Sequence, residues 1–130
     1  MSGSSLDGLD IALCRFEYDI RKEQILDWSI IHGETIAFPD AWKNRLRMLP
    51  ASSGCELMAA HTDFGRFIGE SVAAFRQRLG REPQYVASHG HTVFHEPNGH
   101  IPFTTQIGDG ATLAVVCGQP VICDFRSADV

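Results

Sequence analysis

The sequence has few basic residues, no long apolar run and no leader-like start. Its 11 Lys and Arg residues are outnumbered by 16 Asp and Glu, which gives a formal net charge of −5. Nucleic-acid binders cluster Lys and Arg to replace phosphate counterions, so this balance argues against a nucleic-acid partner. No apolar stretch approaches the length of a membrane span, and no basic segment precedes an apolar run. We therefore expect neither a nucleic-acid nor a membrane partner.

The sequence also lacks a paired cysteine motif. Its four cysteines, Cys14, Cys55, Cys117 and Cys123, lie in apolar contexts such as IALCRF and PVICDF. This pattern favours buried free thiols over disulfides and predicts a reducing, cytoplasmic compartment. The length of 130 residues and the hydrophobic fraction of 44% are typical of one folded domain.

The amino-terminal third has a strand-rich pattern. Residues 9–18 alternate as a strand, residues 19–23 form a polar turn, and residues 24–38 are again strand-like. Two such strands with a short turn predict a β-hairpin. Pro39 suits the first turn of a short helix, which Pro50 ends.

The middle of the chain carries the clearest helix signal. Ser53 and Glu56 have capping-box spacing, and apolar residues then recur every three or four positions from Leu57 to Leu79. Gly80 is a natural end for this helix. About 25 residues of amphipathic helix require an apolar surface to pack against.

The last third alternates strands with one short helix. Residues 84–88 are predicted as a strand buried on both faces, residues 120–123 as a buried strand, and residues 104–107 as a further strand. Asp109 is placed to cap a helix over residues 110–117. The order of elements predicts an α/β fold, a mixed sheet with crossover helices.

Four polar segments stand where ligands collect in such a fold, beyond strand ends. They are SGSSLDG at residues 2–8, SHGHTVFHEP at 88–97, QIGDG at 106–110 and DFRSADV at 124–130. The first combines glycines with Ser hydroxyls, which can cradle phosphate oxygens, and Asp7 can hold magnesium. No Lys follows this segment, so it is not a Walker A loop. The alternative interpretation of the segment is an ordinary polar terminus without a ligand.

The second segment is rich in histidine. His89, His91, His95 and His100 can form a polar wall for a hydroxylated ligand, ligate a metal, or be solvated loop residues. In QIGDG, Asp109 is a helix cap or a ligand contact. After the strand at residues 120–123, the carboxylate of Asp124 or Asp129 can act as a base toward water, and Arg126 can hold a ligand anion. Alternatively, these residues form a structural ion pair. The residues alone leave these alternatives open.

In this order, MSGSSLDGLD, SHGHTVFHEP, QIGDG and DFRSADV resemble the amino-terminal part of the anhydro-N-acetylmuramic acid kinase family. The family patterns are MSGTSxDGxD, SHGxTxxHxP, QIGDG and DFRxxD. The resemblance implies an actin-like ATPase (ribonuclease H-like) domain. It also implies a cell-wall-recycling kinase that adds water to 1,6-anhydro-N-acetylmuramic acid and transfers phosphate from ATP to O6, giving N-acetylmuramic acid 6-phosphate.

The resemblance also implies roles for residues. Asp129 is the expected catalytic base, and Asp7 the expected magnesium contact by way of ATP. The residues expected to face the ATP phosphates are Ser2, Gly3, Ser4, Ser5, Asp7 and Gly8. The residues expected to bind the sugar are His89, Gly90, His91, Thr92, His95, Glu96, Gln106, Gly108, Asp109 and Arg126.

The sequence departs from the family in places. Ser4 stands where Thr is usual, Phe94 where some members have Arg, and His91 where Gln is frequent. Family members also have an apolar strand before the first motif and a second domain after the last. We therefore expect residues 1–130 to be a truncated amino-terminal domain, without its first strand, that self-associates and has negligible kinase turnover. The alternatives are a non-catalytic sugar- or metal-binding module and a chaperone-like ATPase domain of the same superfamily.

Overall fold

A computed structural model describes residues 6–130 and shows a mixed α/β architecture. β1 (Gly8–Asp19) and β2 (Gln24–Ala37) pair antiparallel, from Gly8 opposite Ala37 to Asp19 opposite Gln24. The Asp19 carboxylate accepts the backbone amides of Arg21 and Lys22 at 2.9 and 3.2 Å, which closes the connecting turn. The predicted hairpin is confirmed.

The helices of the middle segment are α1 (Asp40–Met48), a 3-10 turn (Leu49–Ala51) and α2 (Gly54–Leu79). Pro39 is the N-cap of α1, one position earlier than the sequence predicted. The Ser53 side chain caps α2 by accepting the amide of Glu56 at 3.2 Å. Gly80 ends α2 with φ 59°, a left-handed conformation that costs glycine little. The long helix is confirmed with both of its predicted ends.

The last third contains four strands, one helix and a terminal turn. They are β3 (Val86–Ala87), β4 (His91–Glu96), β5 (Phe103–Ile107), α3 (Gly110–Cys117), β6 (Val121–Ile122) and a 3-10 turn (Phe125–Asp129). β4 and β5 form an antiparallel hairpin, and β4 is a strand that the sequence analysis does not predict. β3 and β6 pair in parallel, so α3 lies in the crossover between them.

The strands of the described residues form three two-stranded sheets, β1–β2, β3–β6 and β4–β5, rather than one mixed sheet. Strands are present within both predicted segments, residues 84–88 and 120–123, but the predicted burial is wrong. Only two residues of each pair as strand, and both Ala87 and Ile122 are exposed. Within residues 6–130, each of these strands hydrogen-bonds to one neighbouring strand.

The core lies between α2 and the elements packed on it. Phe64, Leu49, Ile107 and Leu113 are its largest fully buried side chains, supplied by α2, the first 3-10 turn, β5 and α3. All four cysteines are free, but only Cys117 is buried. The prediction of buried thiols is wrong for Cys55 and Cys123, which are exposed. No helix within residues 6–130 has the length and apolar character needed to cross a membrane.

Candidate functional site

A cavity of about 240 Å³ lies where three of the four polar segments meet. Its lining consists of residues 88–90 before β4, residues 106–110 at the end of β5 and start of α3, and Cys123 and Asp124 after β6, together with His61 of α2. The predicted convergence of strand ends is therefore present for SHGHTVFHEP, QIGDG and DFRSADV.

Two glycines bring the walls of this cavity together. Gly90 and Gly108 have φ values of 71° and 118°, which side-chain-bearing residues rarely adopt. A Cβ at Gly90 would lie 2.3 Å from the carbonyl oxygen of Ile107, and one at Gly108 would lie 3.4 Å from the Cα of Gly90. The two loops thus meet backbone to backbone, and a side chain at Gly90 would force them apart.

His61 holds the QIGDG loop in place. Its Nδ1 accepts the amide of Gly108 at 3.2 Å, and its carbonyl oxygen accepts the amide of Asp109 at 2.9 Å. Because Nδ1 is an acceptor, the imidazole proton lies on Nε2, which is 3.8 Å from an Asp109 carboxylate oxygen. The sequence-based prediction missed His61, since one His in an amphipathic helix carries no motif.

Asp109 caps α3, as predicted. Its carboxylate accepts the amides of Ala111 and Thr112 at 3.4 and 2.9 Å, and the Thr112 hydroxyl at 2.5 Å. These hydrogen bonds, led by the one from the Thr112 side chain, hold the pKa of Asp109 below its usual value against the effect of burial, and a smaller coulombic contribution comes from His61. Asp109 is therefore an ionised cap at the cavity wall, unsuited to accept a proton from water.

The histidines of SHGHTVFHEP separate in the structure. His89 lines the cavity, with Nδ1 3.2 Å from the carbonyl oxygen of Gly90. His91 is buried and meets the Phe64 ring edge-on, at 6.2 Å between centroids. Burial, and then the charge of His89, lower the pKa of His91, which favours its neutral form. Among residues 6–130, no three His, Cys, Asp or Glu side chains group closely enough to hold a metal.

Polar side chains of β4 and β5 hydrogen-bond one another. The Gln106 amide, at the cavity wall, donates to the hydroxyls of Thr92 and Thr104 at 3.3 and 2.7 Å. His95 Nδ1 lies 3.3 Å from the Thr104 hydroxyl, and Glu96 is exposed. Thr92, His95 and Glu96 are therefore strand residues beyond the cavity lining.

The last segment places one acid at the cavity and another beyond it. Asp124 lines the cavity and has φ 63°, whereas Asp129 does not appear in the lining. Asp129 forms an ion pair with Arg126 in the terminal 3-10 turn, which contacts β5. The structure therefore places Asp109 and Asp124 in the cavity lining, and the role of Asp129 remains a prediction.

The opening segment is described only in part, since Ser2, Gly3, Ser4 and Ser5 lie outside the described residues. Asp7 has an exposed side chain, and its carbonyl oxygen accepts the amide of Phe38 at 3.4 Å. Gly8 is buried, and a Cβ there would lie 2.5 Å from the carbonyl oxygen of Ile36. This backbone approach explains a glycine at the start of β1.

Comparison with known proteins agrees with the motifs. A family model described as anhydro-N-acetylmuramic acid kinase matches residues 1–130. Similar curated proteins, each named anhydro-N-acetylmuramic acid kinase, include those of Chromobacterium violaceum (39% identity over 136 residues), Coxiella burnetii (35% over 136) and Pasteurella multocida (32% over 137). The matches cover 100% of this chain but only 34–35% of each relative, so the chain spans about a third of their length.

Proposed function

The chain belongs to the anhydro-N-acetylmuramic acid kinase family, and on that premise we propose that its cavity binds 1,6-anhydro-N-acetylmuramic acid. The observation that carries the proposal is the meeting of three family motifs around one cavity of about 240 Å³. In the whole kinase, the bound sugar would be hydrated across its internal bridge and phosphorylated on O6.

The cavity offers both donors and acceptors for such a ligand. The imidazoles of His61 and His89 and the amide of Gln106 border it together with the backbone of Gly90 and Gly108. Sugar hydroxyls and an acetamido group need paired donors and acceptors of this kind, because an unpaired buried polar group costs about 1–3 kcal/mol. Within the proposed binding set, these residues and Asp109 face the ligand. His91, Thr92, His95, Glu96 and Arg126 support the surrounding walls.

The water-addition step requires a base. We assign it to Asp129, as the family pattern implies: its carboxylate accepts a proton from water as the water oxygen bonds to the anomeric carbon, and the bridging oxygen leaves as O6. The Arg126 ion pair keeps this carboxylate at the terminal turn. The proposal therefore requires that this pair turn toward the cavity when sugar is bound.

The nucleotide is assigned to the opening loop. Ser2, Gly3, Ser4, Ser5 and Gly8 would supply hydroxyls and close backbone amides to the phosphates. Asp7 fits a magnesium contact, because its exposed side chain at the start of β1 offers the hard oxygen ligands that magnesium prefers. Magnesium bound with ATP neutralises charge on the phosphates.

The wider assignments follow the family. We propose an actin-like ATPase (ribonuclease H-like) domain that forms the amino-terminal, sugar-facing part of a two-domain kinase, in a cytoplasm that keeps the four thiols free. The 130 residues by themselves are expected to bind sugar without turnover, because phosphoryl transfer needs the nucleotide to be enclosed. A coupled ADP-release assay with the anhydro sugar checks this, and robust turnover would contradict it.

Sugar binding is tested by titrating the ¹⁵N-labelled chain with 1,6-anhydro-N-acetylmuramic acid. We expect saturable shifts at the amides of Gly90 and Gly108. Substitution His89→Ala removes a cavity-lining imidazole and should weaken binding about tenfold, which corresponds to one hydrogen bond of ~1.4 kcal/mol. The matched control His100→Ala removes an exposed imidazole outside the cavity lining and should change the affinity less than about twofold. Equal losses in the two variants, or no saturable shifts, would reject the assignment.

A further inference from the structure

One residue of α2, His61, holds two successive amides of the QIGDG loop by two different kinds of acceptor. The Asp109 amide donates to the backbone carbonyl oxygen of His61 at 2.9 Å, and the Gly108 amide donates to the imidazole Nδ1 at 3.2 Å. The first bond joins two backbone groups, which do not change their protonation. The second depends on the lone pair of Nδ1 and therefore on the protonation state of the ring.

The lone pair on Nδ1 exists only while the imidazole is neutral. In the imidazolium both ring nitrogens carry a proton, so Nδ1 would present an N–H to the N–H of Gly108. Two donors cannot hydrogen-bond to each other, and the contact with Gly108 is lost. Histidine is the side chain whose ordinary charge change falls between about pH 5 and 8, so this contact responds to pH in that range.

The groups around the ring determine which contact survives protonation. The carboxylate that faces it is Asp109, with an oxygen 3.8 Å from Nε2 and a lowered pKa that keeps it ionised. The other ionisable side chains in the cavity lining are His89, Cys123 and Asp124. The neighbours one turn away on α2 carry no charge: Leu57, Met58, Phe64 and Gly65. The imidazolium therefore keeps an attractive partner at Nε2 and loses its partner at Nδ1.

Gly108 is placed to respond to this loss. Ile107, the last residue of β5, is fully buried, and the Asp109 amide stays bonded to the His61 carbonyl oxygen. Gly108 lies between these two held residues with φ 118°, and glycine has the backbone freedom to leave that conformation. Since Gln106, Ile107, Gly108 and Asp109 all line the cavity, a turn of the Gly108 peptide changes the cavity wall.

We propose that His61 is a positioning residue for the cavity and acts as a pH-dependent latch on the QIGDG loop. The neutral imidazole holds the Gly108 amide, and the imidazolium releases it. Sugar affinity then falls at acid pH, because the released peptide no longer holds the wall that the ligand meets. The effect on affinity rests on the proposed function, whereas the latch itself operates in the sugar-free chain.

The latch is tested first without sugar, by NMR of the ¹⁵N-labelled chain between about pH 8 and 5. We expect the Gly108 amide and the His61 Nδ1 resonances to titrate with one shared midpoint. As the pH falls, hydrogen exchange at Gly108 should accelerate at least about tenfold relative to exchange at Asp109, whose acceptor does not titrate. A Gly108 resonance that does not follow the His61 ring, or equal changes in exchange at both amides, would overturn the proposal.

Two variants separate His61 from the other imidazole of the cavity. His61→Asn keeps an acceptor near Nδ1 that cannot be protonated, so its ratio of Gly108 to Asp109 exchange should stay constant with pH. His89→Ala keeps the latch, so its ratio should change with pH as in the parent chain. The opposite result in either variant would overturn the proposal. The titration of the parent chain decides the matter even if a variant does not fold.

The effect on binding is measured by titrating 1,6-anhydro-N-acetylmuramic acid at about pH 8 and about pH 5. The dissociation constant should be at least about fivefold larger at the lower pH for the parent and for His89→Ala, and should differ less than about twofold for His61→Asn. Equal affinity of the parent at both pH values would overturn the link between latch and ligand. Absence of sugar binding at both values, with the Gly108 titration intact, would instead reject the proposed function and leave the latch established.

Discussion

The contact between α2 and the QIGDG loop gives the sharpest prediction, at Gly65. A Cβ on Gly65 would lie 2.5 Å from the carbonyl oxygen and 2.9 Å from the amide nitrogen of Asp109. Neither atom belongs to a flexible side chain, so Gly65→Ala must displace α2 or the loop. Overpacking of a buried contact costs up to about 3 kcal/mol, and alanine recovers ~1 kcal/mol of helix propensity. We expect a net loss of about 2 kcal/mol in the free energy of unfolding.

Two other glycines of α2 are matched controls. A Cβ on Gly54 meets nothing within 4 Å, so Gly54→Ala should be neutral or slightly stabilising. A Cβ on Gly69 would lie 2.7 Å from the Cβ of Val116 in α3, so Gly69→Ala should destabilise the protein without moving the loop. Only Gly65→Ala should both lower stability and weaken binding of the anhydro sugar.

The assay is urea unfolding followed by circular dichroism, with thermal unfolding in parallel. For a domain of this size, about 2 kcal/mol corresponds to a fall in Tm of roughly 8 °C. If Gly65→Ala were as stable as Gly54→Ala and bound sugar as tightly as the parent, the close approach of helix and loop would not exist as described.

Three further predictions concern side chains around the same core. His61→Asn keeps an acceptor near the position of Nδ1 and should retain the hydrogen bond from the Gly108 amide, whereas His61→Gln should lose it and shift the Gly108 amide resonance in the NMR spectrum. The same Gly108 resonance in both variants would contradict this prediction. Asp109 has a lowered pKa in the folded state, so its stabilisation is complete above about pH 4 and is lost as the pH falls through the lower, folded-state pKa. Asp109→Asn should therefore flatten the acid limb of a stability–pH curve, and an unchanged limb would refute this reading. Arg45 bonds two carboxylates of α2 at 2.9 and 2.5 Å, so Arg45→Met should cost about 1 kcal/mol in urea unfolding, and no loss would show that the pairs are dispensable.

Local signals predicted much of the fold. Ser53 and Gly80 bound α2, and Asp109 begins α3, because caps and left-handed glycines act through hydrogen bonds within a few residues. The β1–β2 hairpin is predictable for the same reason, since its strands are joined by a turn that closes on Asp19. Helix caps and tight turns depend on residues close together in the sequence, so the sequence alone predicts them.

Features that depend on distant contacts were missed. β4 is a strand because it pairs with β5, although its histidines suggested a loop. His61 enters the site because α2 passes beside the QIGDG loop, 47 residues further along the chain. His89 and His91 lie in the same motif, so the sequence does not distinguish them. In the structure His89 lines the cavity, whereas His91 packs beside Phe64.

The amino-acid sequence by itself determined the family, the helices and the first hairpin, and the segments that gather at the cavity, because motifs and periodicity are local properties of the chain. The tertiary structure alone decided which side chains of those segments face the cavity. Those outcomes depend on packing between residues far apart in the sequence, where distance and burial rather than residue type select the contacts.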